Sequence, residues 1–218
     1  MRNIKVVIAD DHTILRQGIK ALLGNNERME VVGEAKDGRE AIRVTEELMP
    51  DVILMDIAMP GLNGLETTRR IKKKFPRIKI LVLTMYTNEE YIFQILNAGA
   101  DGYLVKETAF QDIISAIESV YKGEAFMSPS ISKKLINSYI QRARGYQDEV
   151  CDTLTTRERE IIQLIAEGNT SKKIAEALFI STKTVETHRN HIMDKLNIHN
   201  SIGLVKYAIR KGMVDFDK

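Results

Sequence analysis

Residues 52–64 read VILMDIAMPGLNG, and this stretch decides the fold. Val52–Met55 is a short apolar run bounded by turn signals, which reads as a strand buried on both faces. Asp56 stands at its C-terminal end. Pro60-Gly61 and Gly64 then mark a tight loop that brings backbone near that carboxylate. Comparable junctions occur elsewhere in the chain. Ile4–Ala9 runs into Asp10 and Asp11, Ile80–Thr84 ends on a threonine, and Tyr103–Val105 runs into Lys106. In an open parallel sheet covered by helices, strand ends converge on one edge, where ligands bind.

Amphipathic stretches separate these runs, at about Ile14–Leu23, Arg39–Leu48, Leu65–Phe75, Glu90–Leu96 and Gln111–Tyr121. A further run, Met29–Ala35, supplies another strand. Alternating strands and helices predict a doubly wound α/β domain with a parallel five-stranded sheet over residues 1–125. Residues 126–153 read as a linker. Ile131, Leu135, Ile136, Tyr139 and Ile140 suggest a helix within it, and the largely polar stretch from Arg144 acts as a tether. Residues 154–218 lose the strand pattern and read as a small all-α domain.

Composition bounds the answer. The chain has 218 residues, 44% hydrophobic and 28% charged, which fits a globular protein and excludes a disordered one. No apolar run of about 18 residues occurs, so no membrane helix is expected. No signal-peptide pattern opens the chain. Cys151 is the single cysteine, so no intrachain disulfide can form and a cytoplasmic location is expected. Residues 154–218 hold 11 Lys and Arg against 8 Asp and Glu, a net +3 beside −1 for the remainder, too weak a contrast to argue for nucleic acid alone.

Three carboxylates and one ammonium on one sheet edge suit a hard cation and an anion. Magnesium (or manganese) takes carboxylate oxygens, and lysine is a point-charge partner for phosphate. Asp56 can attack a phosphoryl group and hold it as an acyl phosphate. Asp10 and Asp11 would hold the cation, Lys106 would pair with the phosphoryl group, and Thr84 would donate its hydroxyl. Taken singly, each residue has an ordinary explanation: a helix cap for Asp10 and Asp11, a strand former in Thr84, a solvated charge in Lys106. Four separate elements delivering all of them to one edge favour the chemical reading.

On these residues the first 125 positions resemble a bacterial receiver domain. The acidic pair lies in IADDH, the acceptor Asp56 in ILMDIAMPGLNG, Thr84 in LVLTMY and Lys106 in ADGYLVK. The resemblance implies phosphoryl transfer from a sensor histidine kinase to Asp56. It implies a metal held by Asp10, Asp11, Asp56 and the backbone carbonyl of Ala58, and a Tyr103 that rotates inward. Ala58 and Tyr86 would flank the acyl phosphate. Glu107 stands where many receivers have a proline after a cis bond, and a non-proline cis bond costs about 3 kcal/mol. A phosphatase on a similar sheet commonly needs a second acid two residues past the nucleophile. Ala58 occupies that position, so a turnover enzyme is not expected.

In the C-terminal region, Thr155-x-x-Glu158 is a capping-box pattern before an apolar run. Thr170 or Ser171, Ser181 and Asn200 could cap three further helices. The helix from about Thr182 to Leu196 has an apolar stripe, Val185, Ile192 and Leu196, and a polar stripe, Lys183, Glu186, Thr187, Asn190 and Asp194. Two short helices joined by a tight turn, the second polar outside, form a helix-turn-helix whose second helix can enter a major groove. Residues 154–200, LTTREREIIQLIAEGNTSKKIAEALFISTKTVETHRNHIMDKLNIHN, resemble a LuxR-type DNA-binding domain. The resemblance implies double-stranded DNA as partner. It places Lys183, Thr184, Glu186, Thr187 and Asn190 at or beside the groove, and His188, Arg189 and Lys195 near the backbone. A dimer contact would come from the last helix, at Leu204, Val205, Ala208 and Arg210. Glu186 replaces a lysine that the family often has; it can accept from a cytosine amino group. His188, His191 and His199 have no cysteine nearby, so zinc is not expected. The two halves together resemble the NarL/FixJ response regulators, which implies a homodimer when phosphorylated, reading two half-sites.

Overall fold

The structure, a computed structural model, describes residues 3–85, 87, 89–107, 109–143, 154–198, 200–211 and 213–214. The chain forms two compact units, one built on a sheet and one helical.

The first unit alternates β1 (Ile4–Ala9), α1 (Thr13–Gly24), β2 (Met29–Ala35), α2 (Gly38–Leu48), β3 (Val52–Met55), α3 (Gly64–Lys74), β4 (Lys79–Thr84), α4 (Glu89–Asn97), β5 (Gly102–Val105) and α5 (Ala109–Lys122). All strand pairs are parallel, and β1 to β5 run in the order β2-β1-β3-β4-β5, with one further strand beside β5. Alternate strand residues enter two separate cores. Val7, Ile53, Met55, Ile80, Val82, Tyr103 and Val105 pack beneath α2, α3 and α4. Val6, Ile8, Val52, Leu54, Leu81, Leu83 and Leu104 pack beneath α1 and α5. Burial on both sides is why the strands read as unbroken apolar runs rather than alternating ones.

The expected five-stranded sheet is six-stranded. β6 (Phe126–Met127) pairs with β5 through Gly102 and Tyr103. Two residues are too short to show a strand period. Glycine at 102 makes the approach possible, because a Cβ there would lie 2.8 Å from Leu81 and Val120 and 3.1 Å from the Phe126 carbonyl. The helix α6 (Pro129–Ala143) follows, as the linker reading expected. The linker nevertheless starts later than residue 126. Ile131 is fully buried in the sheet's core and Leu135 packs on it, so this part of the segment belongs to the first unit. Residues 144–153 lie outside the described ones.

The helical unit contains α7 (Thr156–Ala166), α8 (Ser171–Leu178), α9 (Thr182–Leu196) and α10 (Ser201–Arg210). Each begins at a side-chain cap. Thr155 and Glu158 form the reciprocal capping box, and Thr170, Ser181 and Asn200 accept from Lys173, Thr184 and Gly203 backbone N–H groups. Such caps satisfy donors that the first turn leaves orphaned. Ile161, Ile162, Ile174, Val185, Ile192, Leu204 and Ala208 meet in one core.

Gly64 opens α3 directly beneath Asp56, and its N–H donates to the Ile57 carbonyl at 2.9 Å. A Cβ at 64 would fall 1.9 Å from the Asp56 carbonyl oxygen. Gly64→Ala is expected to lower the unfolding free energy by about 2 kcal/mol or more, since the clash is with backbone that cannot step aside; a urea titration followed by circular dichroism measures it.

Candidate functional site

The parallel ladder places the site. One residue past the strands it continues, with Asp10 N–H donating to the Ala35 carbonyl (3.1 Å), Asp56 N–H to Ala9 (2.8 Å) and Lys106 N–H to Thr84 (2.9 Å). These bonds bring the three charged residues to the same edge of the sheet. There the Lys106 ammonium lies 2.8 Å from Asp10 and 3.0 Å from Asp56. Both carboxylates are about as buried as the core, at 1% and 2% exposed, so this is an ion triad out of water rather than a surface pair. Asp56 also accepts from the Ile57 N–H at 2.8 Å.

Burial pushes the Asp56 carboxyl up to about 6, opposed by Lys106 and reinforced by the charges of Asp10 and Asp11. Burial alone would lower the Lys106 ammonium, but Asp56 and Asp10 outweigh it and hold it above the ordinary range. Asp10, Asp11, His12 and Asp56 each place a ligand atom within 4.8 Å of the others. The donor set is chiefly carboxylate oxygen, and three carboxylates face one ammonium, so Asp10, Asp11 and Asp56 fit a hard divalent cation. Ala58 sits half-buried in the loop just past Asp56.

Thr84 is fully buried at the end of β4. Tyr103 is fully buried too, so its ring is already inward, and burial with the nearby Asp56 charge raises its hydroxyl pKa. Tyr86 lies outside the described residues. No cis peptide bond occurs among the described residues, and the Lys106-Glu107 loop forms without one.

Capping does not explain Asp10 and Asp11. The N-cap of α1 is His12, with no side-chain cap. Asp10 accepts from the His12 N–H at 2.7 Å, and the imidazole Nδ1 lies 3.1 Å from Asp10 and 2.9 Å from Asp11. His12 was not singled out in the sequence, although its place directly after the acidic pair is the signal for it. Ser128 was missed as well. Its hydroxyl accepts from Val105 N–H at 3.2 Å, one residue before Lys106. On α6, Lys134 donates to the Thr87 carbonyl at 2.6 Å, three residues past Thr84. No local pattern announces either contact.

In the helical unit, Lys183, Glu186, Thr187, Asn190 and Asp194 share the exposed side of α9, as their spacing required. His188 is half-buried. Several members of the set already have partners. Thr184 bonds the Ser181 hydroxyl at 2.8 Å, and Thr187 donates to the Lys183 carbonyl at 3.0 Å. Glu186 accepts from Ser171, and Arg189 donates to the Ser201 hydroxyl. Lys195 donates to both Glu158 oxygens at 2.8 Å. It therefore ties α9 to the capping box of α7.

The dimer contact expected on α10 needs correction. Leu204 and Ala208 are fully buried against the unit's own core, because a helix with one apolar stripe turns it inward first. Ile202, 68% exposed, and the half-buried Val205 remain on the outer side. The Arg210 side chain lies outside what the structure describes.

The chain thus carries a sheet-edge pocket of carboxylates beside a lysine and, separately, a helical unit whose α9 is polar on its outer side. Residues 6–118 match the response regulator receiver domain, and residues 152–208 match the bacterial regulatory proteins of the luxR family. The oxygen regulatory protein NreC of Staphylococcus carnosus is 43% identical over 217 residues, covering 98% of this chain and all of that protein. A structure of RcsB from Salmonella enterica serovar Typhimurium, bound to promoter rprA with the phosphomimetic BeF3−, is 31% identical. Its TM-score is 0.63, over 94% of this chain and 98% of that one. The response regulator ChrA of a heme-sensing two-component system is 30% identical with a TM-score of 0.52, over 98% of this chain and all of that one. The chain belongs to the NarL/FixJ family of two-component response regulators, which are phosphorylation-dependent transcription regulators.

Because Asp56 is raised, the folded protein binds more protons than the unfolded chain between about pH 4 and 6. Its contribution to stability is thus favourable below the unfolded value and is lost as pH rises through about 6. Asp56→Asn is expected to raise the melting temperature at pH 7, by the equivalent of about 1–3 kcal/mol, with little gain near pH 4. Melting curves across that range check it.

In the helical unit the order reverses. Burial alone would raise the Glu158 carboxyl, but Lys195 and the Thr155 bonds hold it below the ordinary range. Its contribution is present above the usual carboxylate range and lost on acidification. Glu158→Ala is expected to cost about 2 kcal/mol, and Lys195→Ala under about 1 because that ammonium is partly exposed. Thermal melts at neutral pH should show that order.

Proposed function

We propose that Asp56 is the phosphoacceptor and that its modification controls binding to duplex DNA. The observation that carries the reading is Asp56 held 3.0 Å from the Lys106 ammonium, with Asp10 and Asp11 close enough to share a cation. The donor is a phosphohistidine of a sensor kinase. A carboxylate oxygen of Asp56 forms a bond to phosphorus as the nitrogen–phosphorus bond breaks, and the imidazole leaves. Asp10, Asp11, Asp56 and the Ala58 carbonyl would hold Mg2+ or Mn2+, which would supply neutralisation between the attacking and attacked anions. Lys106 moves its charge from the carboxylate to the phosphoryl oxygens, and the Thr84 hydroxyl donates to the same group.

The modification adds about −1.5 to −2 charges at a buried edge, judging from phosphoserine. That charge biases Thr84, Tyr103 and the α4–β5 face toward one arrangement. Ser128 and Lys134 link that face to α6, so a shift at Thr84 or Lys106 reaches the segment leading to the DNA-binding unit. The active state is a homodimer in the cytoplasm reading two half-sites, with Lys183, Thr187 and Asn190 toward bases and His188 and Arg189 toward phosphates. On α10, Ile202 and Val205 form the dimer contact. The Salmonella relative, bound to a promoter in the presence of a phosphomimetic, supports linking the modification to DNA binding.

Incubated with acetyl phosphate and Mg2+, the protein should gain the mass of one phosphoryl group, and Asp56→Ala should not. In the same samples, phosphorylation should raise dimer fraction and affinity for DNA selected from a random pool. That affinity should fall at least about tenfold between roughly 50 and 200 mM salt. An unchanged mass in wild type, or enhancement that persists in Asp56→Ala, would overturn the assignment.

A further inference from the structure

Glu186 is an exposed acid on the α9 face between Lys183, Thr187 and Asn190, with Asp194 further along the same side. A carboxylate facing a polyanion is repelled, so an acid there is costly unless a base-edge donor receives it. The Ser171 hydroxyl, in the first turn of α8, donates to its Oε1 at 2.5 Å. That bond uses one carboxylate oxygen and fixes a long side chain that would otherwise sample many rotamers. The second oxygen is left for an acceptor's role. In the major groove, cytosine N4 presents a donor without a neighbouring acceptor. Adenine N6 stands beside N7, whose lone pair repels a carboxylate.

We infer that Ser171 and Glu186 act as a base-reading pair, with Glu186 accepting from a cytosine amino group and Ser171 positioning it. The inference rests on the DNA-binding reading above and adds to it which base one position of each half-site requires. Glu186 then discriminates between sequences while contributing nothing to the phosphate contacts that supply bulk affinity. The acid lowers binding to the wrong sequence, which is how one repulsive group sharpens a preference.

The test uses the full-length phosphorylated protein. Duplexes are selected from a random pool, and affinities are then measured for the selected site with every single-base substitution. Wild type should show one position per half-site where replacing cytosine costs about tenfold or more. Glu186→Ala should lose that discrimination while other positions and the salt dependence hold. Glu186→Gln should move the preference toward adenine, which glutamine can pair bidentately. Ser171→Ala should weaken the cytosine preference several-fold without altering the rest. If Glu186→Ala selects the same site with the same discrimination, the base-reading role is overturned. If Ser171→Ala lowers the melting temperature but leaves the preference intact, its bond is structural and the positioning role falls. Failure of wild type to enrich any sequence, with no salt dependence, would instead sink the DNA reading itself.

Discussion

A single ammonium between two buried carboxylates organises the first unit. Lys106, 2.8 Å from Asp10 and 3.0 Å from Asp56, keeps two anions that water cannot reach. Removing Lys106 would leave two uncompensated buried carboxylates, which is far more costly than a lost surface pair, whereas neutralising Asp56 leaves Lys106 balanced by Asp10. The balance is also incomplete, since Asp11 adds a third carboxylate against one cation. That residual negative charge, together with an Asp56 raised first by burial and then by its acidic neighbours, makes the edge receptive to a further cation and poised for an added phosphoryl group. The same frustration that weakens the fold therefore prepares the chemistry.

The backbone around the triad is arranged to hold it. The sheet ladder runs one residue past β1, β3 and β5, so the charged side chains emerge from hydrogen-bonded backbone at the sheet edge. Gly64 lets α3 close against the Asp56 carbonyl, and Asn63 caps that helix by accepting from Glu66 N–H at 2.9 Å. On the far side, β6 and the start of α6 are drawn onto the sheet beside Tyr103 and Val105. The segment leading out of the unit is thereby hydrogen-bonded within a few residues of Thr84 and Lys106, which is where a change in phosphoryl charge would be felt.

The helical unit is small, and its stability rests on caps and on ties between helices as much as on its core. Lys195 with Glu158, and Arg189 with Ser201, fasten α9 to α7 and α10. Residues assigned to phosphate contact from their position on α9 thus also fix the pose of the recognition helix. Phosphate would compete with Glu158 and Ser201 for these donors. Affinity and helix placement are then coupled.

Strand and helix periods, the cap residues of the helical unit and the charged strand ends were legible along the chain, because each is a local property. The cap at Thr155 with Glu158, and the start of α9 after Ser181, needed only neighbours three residues apart. The receiver edge was legible because strand ends in a parallel sheet have one place to go. The sixth strand, the burial of Ile131, the Ser128 and Lys134 contacts and the inward turn of Leu204 and Ala208 were not. A two-residue strand has no period, and an apolar stripe on α10 shows that a surface is covered without naming what covers it. Sequence alone thus determined which residues had to meet at the sheet edge, since secondary structure and parallel topology put them there. Only the folded chain decided the distances among Asp10, Asp56 and Lys106 and the partners of Glu186, Arg189 and Lys195, because those depend on packing between segments far apart in the chain.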